Sequence, residues 1–453
     1  MKTALKNLFF MPALIAGLGL IPAGRAATQT YTIVCRFTGG SDGSHPEAGL
    51  ILSGNTLYGT AMYGGSGEGT VFAVNTDSTG ITNLHSFSMN TLNSIDGAQP
   101  KAGLILSGNT LYGTATLGGS GGRGTVFAVN IDGSGFTNLH SFTGVSDGAN
   151  PEAGLILSGN ILYGTAYRGG SSNKGTVFAV NTDGTGFTTL HSFTNGSDGA
   201  NPEAGLILSG NTLYGTAFAG GSSGYGTVFA INTNGTGFTT LHEFTGNVWP
   251  NPGAGLILSG NTLYGTTQCA GSSSNGTVFA VNTNGTGFTN LYSFTGGSDG
   301  SHPYAGLILS GNTLYGTAAY GGIYGYGTVF AINTNGTGFT ILHSFAYGDG
   351  YLPLAGLILS GNTLYGTTFY GTYSYNGSVF ALSLVPSLGI AQTGNQVVLS
   401  WPTWAPNFSL QSNTNLVSSA LWTAVSPAPI VVNGRNTVTN PVSGAQMFYR
   451  LSQ

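Results

Sequence analysis

Three kinds of side chain recur along this sequence at spacings that could do chemistry. Aspartate stands before glycine at Asp42, Asp96, Asp147, Asp198, Asp299 and Asp349. Six carboxylates on one rim would suit a hard cation such as calcium, which takes oxygen ligands. The competing account is local: Asp-Gly opens a tight turn in which the carboxylate caps its own backbone. The fifth equivalent junction reads Trp249-Pro250-Asn251-Pro252, which an obligate metal ring would not tolerate, and the turn account is favoured. His85, His140, His191, His242 and His343 share one position, taken by Tyr292 and Cys35 in two further copies. Imidazoles that recur once per repeat are spread apart and cannot converge on one ion, so they read as packing residues. His45 and His302, in twin Ser-Asp-Gly-Ser-His-Pro segments, read as surface residues. No catalytic residue, metal ligand set or cofactor is assigned.

Tyrosine is the third kind, and its distribution is uneven. Tyr58, Tyr112, Tyr163, Tyr214, Tyr264, Tyr315 and Tyr365 recur in Leu-Tyr-Gly-Thr and read as structural. Tyr304, Tyr320, Tyr324, Tyr326, Tyr347, Tyr351, Tyr370, Tyr373 and Tyr375, with Phe369, crowd instead into the irregular segments of the last two copies. Aromatic faces with hydroxyl edges give wide contact at low entropic cost and suit sugar rings or a protein surface. These ten residues are the candidate ligand-binding set; drift in uncharged loops is the alternative.

What positions them is a repeat. The segment Ala-Gly-Leu-Ile-Leu-Ser-Gly-Asn-x-Leu-Tyr-Gly-Thr begins at Ala48, Ala102, Ala153, Ala204, Ala254, Ala305 and Ala355, in steps of 54, 51, 51, 50, 51 and 50 residues. A period near 50 with several short strands per unit marks a β-propeller blade. In the second copy, Leu104–Ser107 is a strand, Gly108-Asn109 a hairpin turn of the kind that needs positive φ, and Thr110–Thr114 the next strand. Thr125–Val129 and Phe136–Phe142 complete four. The loops after the second and fourth strands are long, belong to one face, and are where binding is expected. Helical periodicity is absent from the mature chain.

The two ends are complementary. The last copy stops after Ser378–Leu382, and Tyr31–Phe37 aligns with the fourth strand of the other copies. A ring closed by that N-terminal strand removes exposed sheet edges. The expectation is therefore an all-β chain: a seven-bladed β-propeller over residues 29–383, plus a small immunoglobulin- or fibronectin-like β-sandwich over 388–453. In the second region, Gln396–Trp401, Phe408–Ser412, Leu421–Val425, Thr437–Thr439 and Met447–Leu451 read as strands.

Leu-Tyr-Gly-Thr-x-x-x-Gly-Gly, then Gly-Thr-Val-Phe-Ala-Val-Asn, then Phe-Thr-Asn-Leu-His-Ser-Phe, resembles the GloVer tandem repeat of exported bacterial proteins, over residues 31–382. The architecture is also similar to that of kelch repeats, without their Tyr and Trp spacing. The resemblance implies an exported propeller and carries no activity. The tail resembles the small β-sandwich that ends such proteins, which implies a sorting or attachment module, a plain spacer being the alternative.

Charged residues make up 5% of the chain, with 10 Lys and Arg and a formal net charge of −4. That excludes a phosphate-binding surface and hence nucleic acid as a partner. Residues 1–26 read as a signal peptide, with Lys2 and Lys6 before the apolar run Leu8–Leu20 and small residues at Gly24 and Ala26; no membrane span is expected after it, and the location is secreted or cell-surface. Cys35 and Cys269 fall in units that are not neighbours and read as free thiols. The leading function is a non-enzymatic binding propeller for a glycan or a surface protein. An extracellular carbohydrate-active enzyme and a structural surface component remain alternatives.

Overall fold

The structure, a computed structural model, describes residues 29–88, 94–246, 249–371, 375–384, 386, 388–403, 405, 408–414, 421–432, 435–441 and 447–452. The expected leader over residues 1–26 and the candidate residue Tyr373 lie outside them. The described chain is all β apart from one 3-10 turn at Tyr347–Asp349. Its described residues divide into two compact units, one within Tyr31–Leu309 and Leu314–Leu382, the other within residues 383–453 together with Thr30 and Ser310–Thr313.

The repeats fold into seven four-stranded antiparallel sheets. In the second copy the strands are Ile105–Ser107, Thr110–Ala115, Thr125–Asn130 and Thr137–Ser141, within a residue or two of the expected bounds. The central pair is in register from Thr110↔Asn130 to Ala115↔Thr125. Between the third and fourth strands the register slips, Val126 pairing with His140 and Phe127 with Asn138. Leu139 is thus the extra residue of a β-bulge, which bends the outer strand and adds twist.

These strands are apolar on both sides because both sides are covered. Tyr58, Val71, Leu84 and Phe87 of the first copy pack against Leu104, Leu111, Phe127 and Val129 of the second. The same set recurs between later copies. Burying each large side chain contributes roughly 1.5–3 kcal/mol, whereas ordering each residue costs about 1–2 kcal/mol of backbone entropy. A sheet without a neighbour is therefore unstable, and stacking is what makes the repeat fold.

The sequence of contacts is cyclic. The hydroxyl of Thr in Tyr-Gly-Thr donates to the carbonyl of the Ala that opens the following copy: Thr60 to Ala102 at 3.0 Å, Thr114 to Ala153 at 3.0 Å, and so on to Thr317 and Ala355 at 3.2 Å. Thr367 then donates to Ala48 at 3.4 Å, joining the last copy to the first. Next to each Ala is a glycine that faces its counterpart in the adjacent copy. A Cβ on Gly154 would lie 3.1 Å from the Gly103 carbonyl oxygen, and one on Gly49 would lie 3.3 Å from that of Gly356. Side chains would be crowded at several of these positions, where the first strands converge.

The N-terminal strand Thr30–Arg36 takes the outer place in the sheet of Ser378–Ser383, Thr363–Thr368 and Ile358–Ser360. Phe37 N donates to Gly377 O at 3.1 Å, as Phe142 N does to Gly124 O at 3.0 Å in a continuous copy. Val34, Phe37 and Val379 then pack on Leu50, Leu57, Phe72 and Val74.

In the other unit, one sheet runs in the order Gly389–Thr393, Gln396–Pro402, Arg435–Pro441, Ile430–Val432, and a second runs Thr423–Ala424, Ser409–Asn413, Phe448–Ser452. Val397, Leu399, Trp401, Leu410 and Val438 form their shared apolar core. The strands Gly389–Thr393 and Ile430–Val432 were not expected from sequence. Both are largely exposed edge strands, so their residues lack the alternation by which a half-buried strand is recognised.

Candidate functional site at the convergence of the repeats

Every copy begins Pro-x-Ala-Gly-Leu, and the residue x lies two positions before the converging glycine. With Ala fixed by the threonine hydroxyl and Pro before it limiting the backbone, x is held at the mouth of the convergence. The seven occupants are Glu47, Lys101, Glu152, Glu203, Gly253, Tyr304 and Leu354. All seven line one cavity of about 360 Å³, with Gln268, Tyr320, Leu352, Phe369 and Tyr370.

One wall is charged. Burial raises the carboxyl pKa of Glu47, Glu152 and Glu203, while the Lys101 ammonium pulls each of them down. Glu203 is moved furthest, to about 7, by burial first and then by the like charges of Glu152 and Glu47. Near neutrality its carboxyl both donates and accepts hydrogen bonds, and it stands in the range where a general acid or base works best.

The facing wall is aromatic. Tyr304, Tyr320, Phe369 and Tyr370, four of the ten residues singled out from sequence, line the cavity. Backbone pairing sets two of them: Ser301 and Tyr320 exchange hydrogen bonds of 2.8 and 3.1 Å, as Tyr351 and Tyr370 do at 2.9 and 3.1 Å. From Tyr370 the rings continue outward, Tyr351 at 4.9 Å from Tyr370, Tyr326 at 5.6 Å from Tyr351 and Tyr347 at 6.2 Å from Tyr326. A hydrogen bond to Tyr375 raises the Tyr347 phenol pKa. Tyr324 stands outside the cavity lining, 60% exposed. His45, expected on the surface, is instead half-buried in this sector, its ring 4.8 Å from Phe369 and 5.5 Å from Tyr370. His302 is likewise half-buried, 5.5 Å from Tyr320.

The recurring aspartates do local work. Asp147 accepts from Thr143 N at 2.8 Å and Thr143 Oγ1 at 2.7 Å, and lies 3.2 Å from His140 Nε2. The His140 ring stacks on Phe187 of the next copy at 3.7 Å. Asp198 with His191, Asp349 with His343, and Asp299 with the Tyr292 hydroxyl repeat this pairing. His140, His191 and His343 therefore each clamp their own loop and a ring of the neighbouring sheet. Among the described residues no three His, Cys, Asp or Glu side chains are grouped to hold a metal ion.

Glu47, Lys101, Glu152, Glu203 and Gln268 were missed in the sequence because they lie about fifty or more residues apart, and no spacing rule links them. A signal was present nonetheless: x is the one changing letter between a fixed Pro and a fixed Ala-Gly-Leu.

The Gloeobacter/Verrucomicrobia repeat model matches residues 17–217 and 184–380, and the chain belongs to that repeat family. No curated protein matches it. Among solved structures, an ancestral GH74 enzyme is 12% identical over 75% of this chain and 48% of its own, with a TM-score of 0.52. An oligogalacturonate lyase in complex with manganese is 12% identical over 80% of this chain and 94% of its own (TM-score 0.47), and a chain of the nidogen/laminin complex is 16% identical over 55% and 79% (TM-score 0.36). At such identity the first of these is a likeness of fold alone, and it agrees with a β-propeller-like arrangement of repeated sheets. No helix among the described residues is long and apolar enough to cross a membrane.

Proposed function

We propose that the chain is an exported, non-enzymatic binding propeller that holds a glycan in the cavity where its repeats converge. In this reading the seven sheets are seven blades of one propeller spanning residues 29–383, closed by Thr30–Arg36. Residues 388–453 form an immunoglobulin- or fibronectin-like β-sandwich that serves attachment or sorting, and residues 1–26 are the export signal. The observation that carries the reading is the meeting of an aromatic wall (Tyr304, Tyr320, Phe369, Tyr370) with polar groups from five other repeats in one cavity. Pyranose rings are recognised in this way, with C–H faces on aromatic rings and hydroxyls on carboxylates and amides. Retention on a panel of immobilised polysaccharides, compared with Tyr320→Ala and Tyr370→Ala, tests it. Loss of retention in both variants supports the reading, and unchanged retention overturns it; retention only on a surface-protein extract would assign the face to a protein partner.

A carbohydrate-active enzyme is the second reading, favoured by the Glu203 carboxyl at about 7 beside other carboxylates, an environment that separates an acid from a base. New reducing ends or unsaturated products on incubation with polysaccharides, lost in Glu203→Gln, would establish it.

A further inference from the structure

One backbone pairing recurs at the cavity rim, and the side chains it presents differ between copies. In six copies the residue three before x exchanges hydrogen bonds with a residue just past the second strand. Ser44 does so with Tyr63 at 2.7 and 3.1 Å, Ser301 with Tyr320, and Tyr351 with Tyr370. Ala98, Ala149 and Ala200 pair in the same way with Leu117, Arg168 and Ala219, and in the remaining copy Pro250 accepts from Cys269 N. Equivalent pairing gives these seven residues equivalent places. Tyrosine therefore holds three successive ones, in the sixth, seventh and first copies, and Tyr320 and Tyr63 are exposed.

The joint between the last and first copies is filled by a ring as well. His45 N donates to Asn376 O of the seventh copy at 2.8 Å, and its carbonyl accepts from Met62 N of the first at 3.1 Å. Its Nδ1 lies 3.0 Å from Ser44 Oγ. The imidazole stands nearly perpendicular to both Tyr370 and Tyr63, 5.5 Å from each. Leu352 takes the matching place between the sixth and seventh copies, donating to Tyr326 O and accepting from Phe369 N. Tyr320, Leu352, Tyr370, His45 and Tyr63 thus make one row, whose first three members line the cavity while the last two carry it past the lining. Burial lowers the His45 pKa, so the row is uncharged at neutral pH.

We infer that this row is one extended binding surface for an uncharged glycan whose linkages bend the chain, with Tyr63 its outermost platform and His45 the positioning residue that sets Tyr63 against Tyr370. This rests on the glycan reading above, with its closed ring, and names the class of chain. Each tyrosine is one repeat further round a cycle than the last, so the row is an arc. A straight ribbon such as a β-1,4-glucan lies along two neighbouring rings and leaves the third. α-1,4- and β-1,3-glucans turn as they lengthen and stay in contact. Glu47, Glu152 and Glu203 against a single Lys101 in the adjoining lining disfavour uronic acids and other anionic chains.

The experiment is calorimetric titration of the full chain with maltohexaose, laminarihexaose and cellohexaose, and with maltotriose and laminaritriose. One of the two bent hexaoses is expected to bind about tenfold more tightly than cellohexaose and than its own trisaccharide, and which one does so names the linkage. Tyr63→Ala is expected to weaken that hexaose about fivefold, the worth of one aromatic contact, with the trisaccharide unchanged. His45→Asn should do the same, because Asn150 and Asn201 hold this place at φ 54° and 56° against 57° for His45, so the backbone is kept and only the ring is lost. Both variants are expected to retain the parental circular dichroism. Equal weakening of hexaose and trisaccharide overturns the outer platform, since a ring beyond the cavity does not reach the shorter sugar. Hexaose binding untouched in Tyr63→Ala but lost in Tyr320→Ala also overturns it and leaves the glycan reading standing. Cellohexaose bound as tightly as the bent hexaoses overturns the bent-chain assignment. No binding of either bent hexaose overturns the proposal, and retention on the polysaccharide panel then decides the glycan reading separately.

Discussion

The Tyr31 ring lies face to face with the His343 imidazole, centroids 4.3 Å apart and planes 5° from parallel, and its hydroxyl donates to the Asp349 carbonyl at 2.8 Å. In five other copies a phenylalanine fills this place, as Phe136 does on His85 at 3.6 Å. Tyr31 belongs to the N-terminal strand, so it couples the start of the repeat region to the sixth copy as well as to the seventh. Burial drives its phenol pKa well above the ordinary value, with the Asp349 charge acting in the same direction.

Tyr31→Ala removes that stack, the buried ring and the hydroxyl's partner together. The expected loss is about 3 kcal/mol in chemical denaturation. Tyr31→Phe should recover most of it, because the stack survives. Equal losses in the two variants would place the stabilisation in the hydroxyl instead.

Deleting Tyr31–Phe37 exposes the outer edge of Ser378–Ser383 and opens the core of Phe37, Leu57 and Phe72. The truncated chain is expected to melt at markedly lower temperature and to associate through the bared edge. Calorimetry with light scattering checks both; a product melting like the parent would mean the strand contributes nothing.

The histidine clamps make stability depend on pH in one direction. Burial lowers the pKa of His85, His140, His191 and His343 below the ordinary imidazole value of 6.5, with the paired aspartates opposing. The folded chain therefore binds these protons less readily than the unfolded chain. Their contribution is fully present above about pH 6.5 and is lost progressively as pH falls through that value toward the lower folded pKa. Denaturation midpoints should drop as pH falls below about 6.5, and His191→Gln should shallow that slope.

Glu203 acts the other way. Its folded pKa of about 7 lies above the ordinary carboxyl value of 4.5, so folding favours the protonated form. Stability tied to this group is present below pH 4.5 and is lost as pH rises through about 7. Glu203→Gln is expected to stabilise the free protein above neutrality by on the order of 3 kcal/mol and to give no gain near pH 4. A gain that did not vary with pH would mean that charge is not the cause.

Most of the sheet architecture was legible because strand, turn and loop residues recur seven times. Leu104–Ser107 and Thr125–Val129 fell within a residue of the observed strands, and Tyr31–Phe37 declared itself by filling the place that the last copy lacks. The bulge at Leu139 was not legible, since Val126 and Phe127 look like any apolar pair and only cross-strand register reveals the slip. The cavity was half legible. Its aromatic wall stood out by composition, whereas Glu47, Glu152 and Glu203 are each ordinary letters in their own copy and become neighbours through the turning of the repeats.

The changing residue of Pro-x-Ala-Gly-Leu has a consequence for inheritance. Its neighbours hold the scaffold, through the Thr-to-Ala hydrogen bonds and the facing glycines, while x itself lines the cavity. Near-identical copies invite unequal crossing-over in the gene, and each exchange would carry a different x into an otherwise interchangeable unit. Specificity could then be rewritten by swapping a single codon per copy, on an unchanged pattern of sheets.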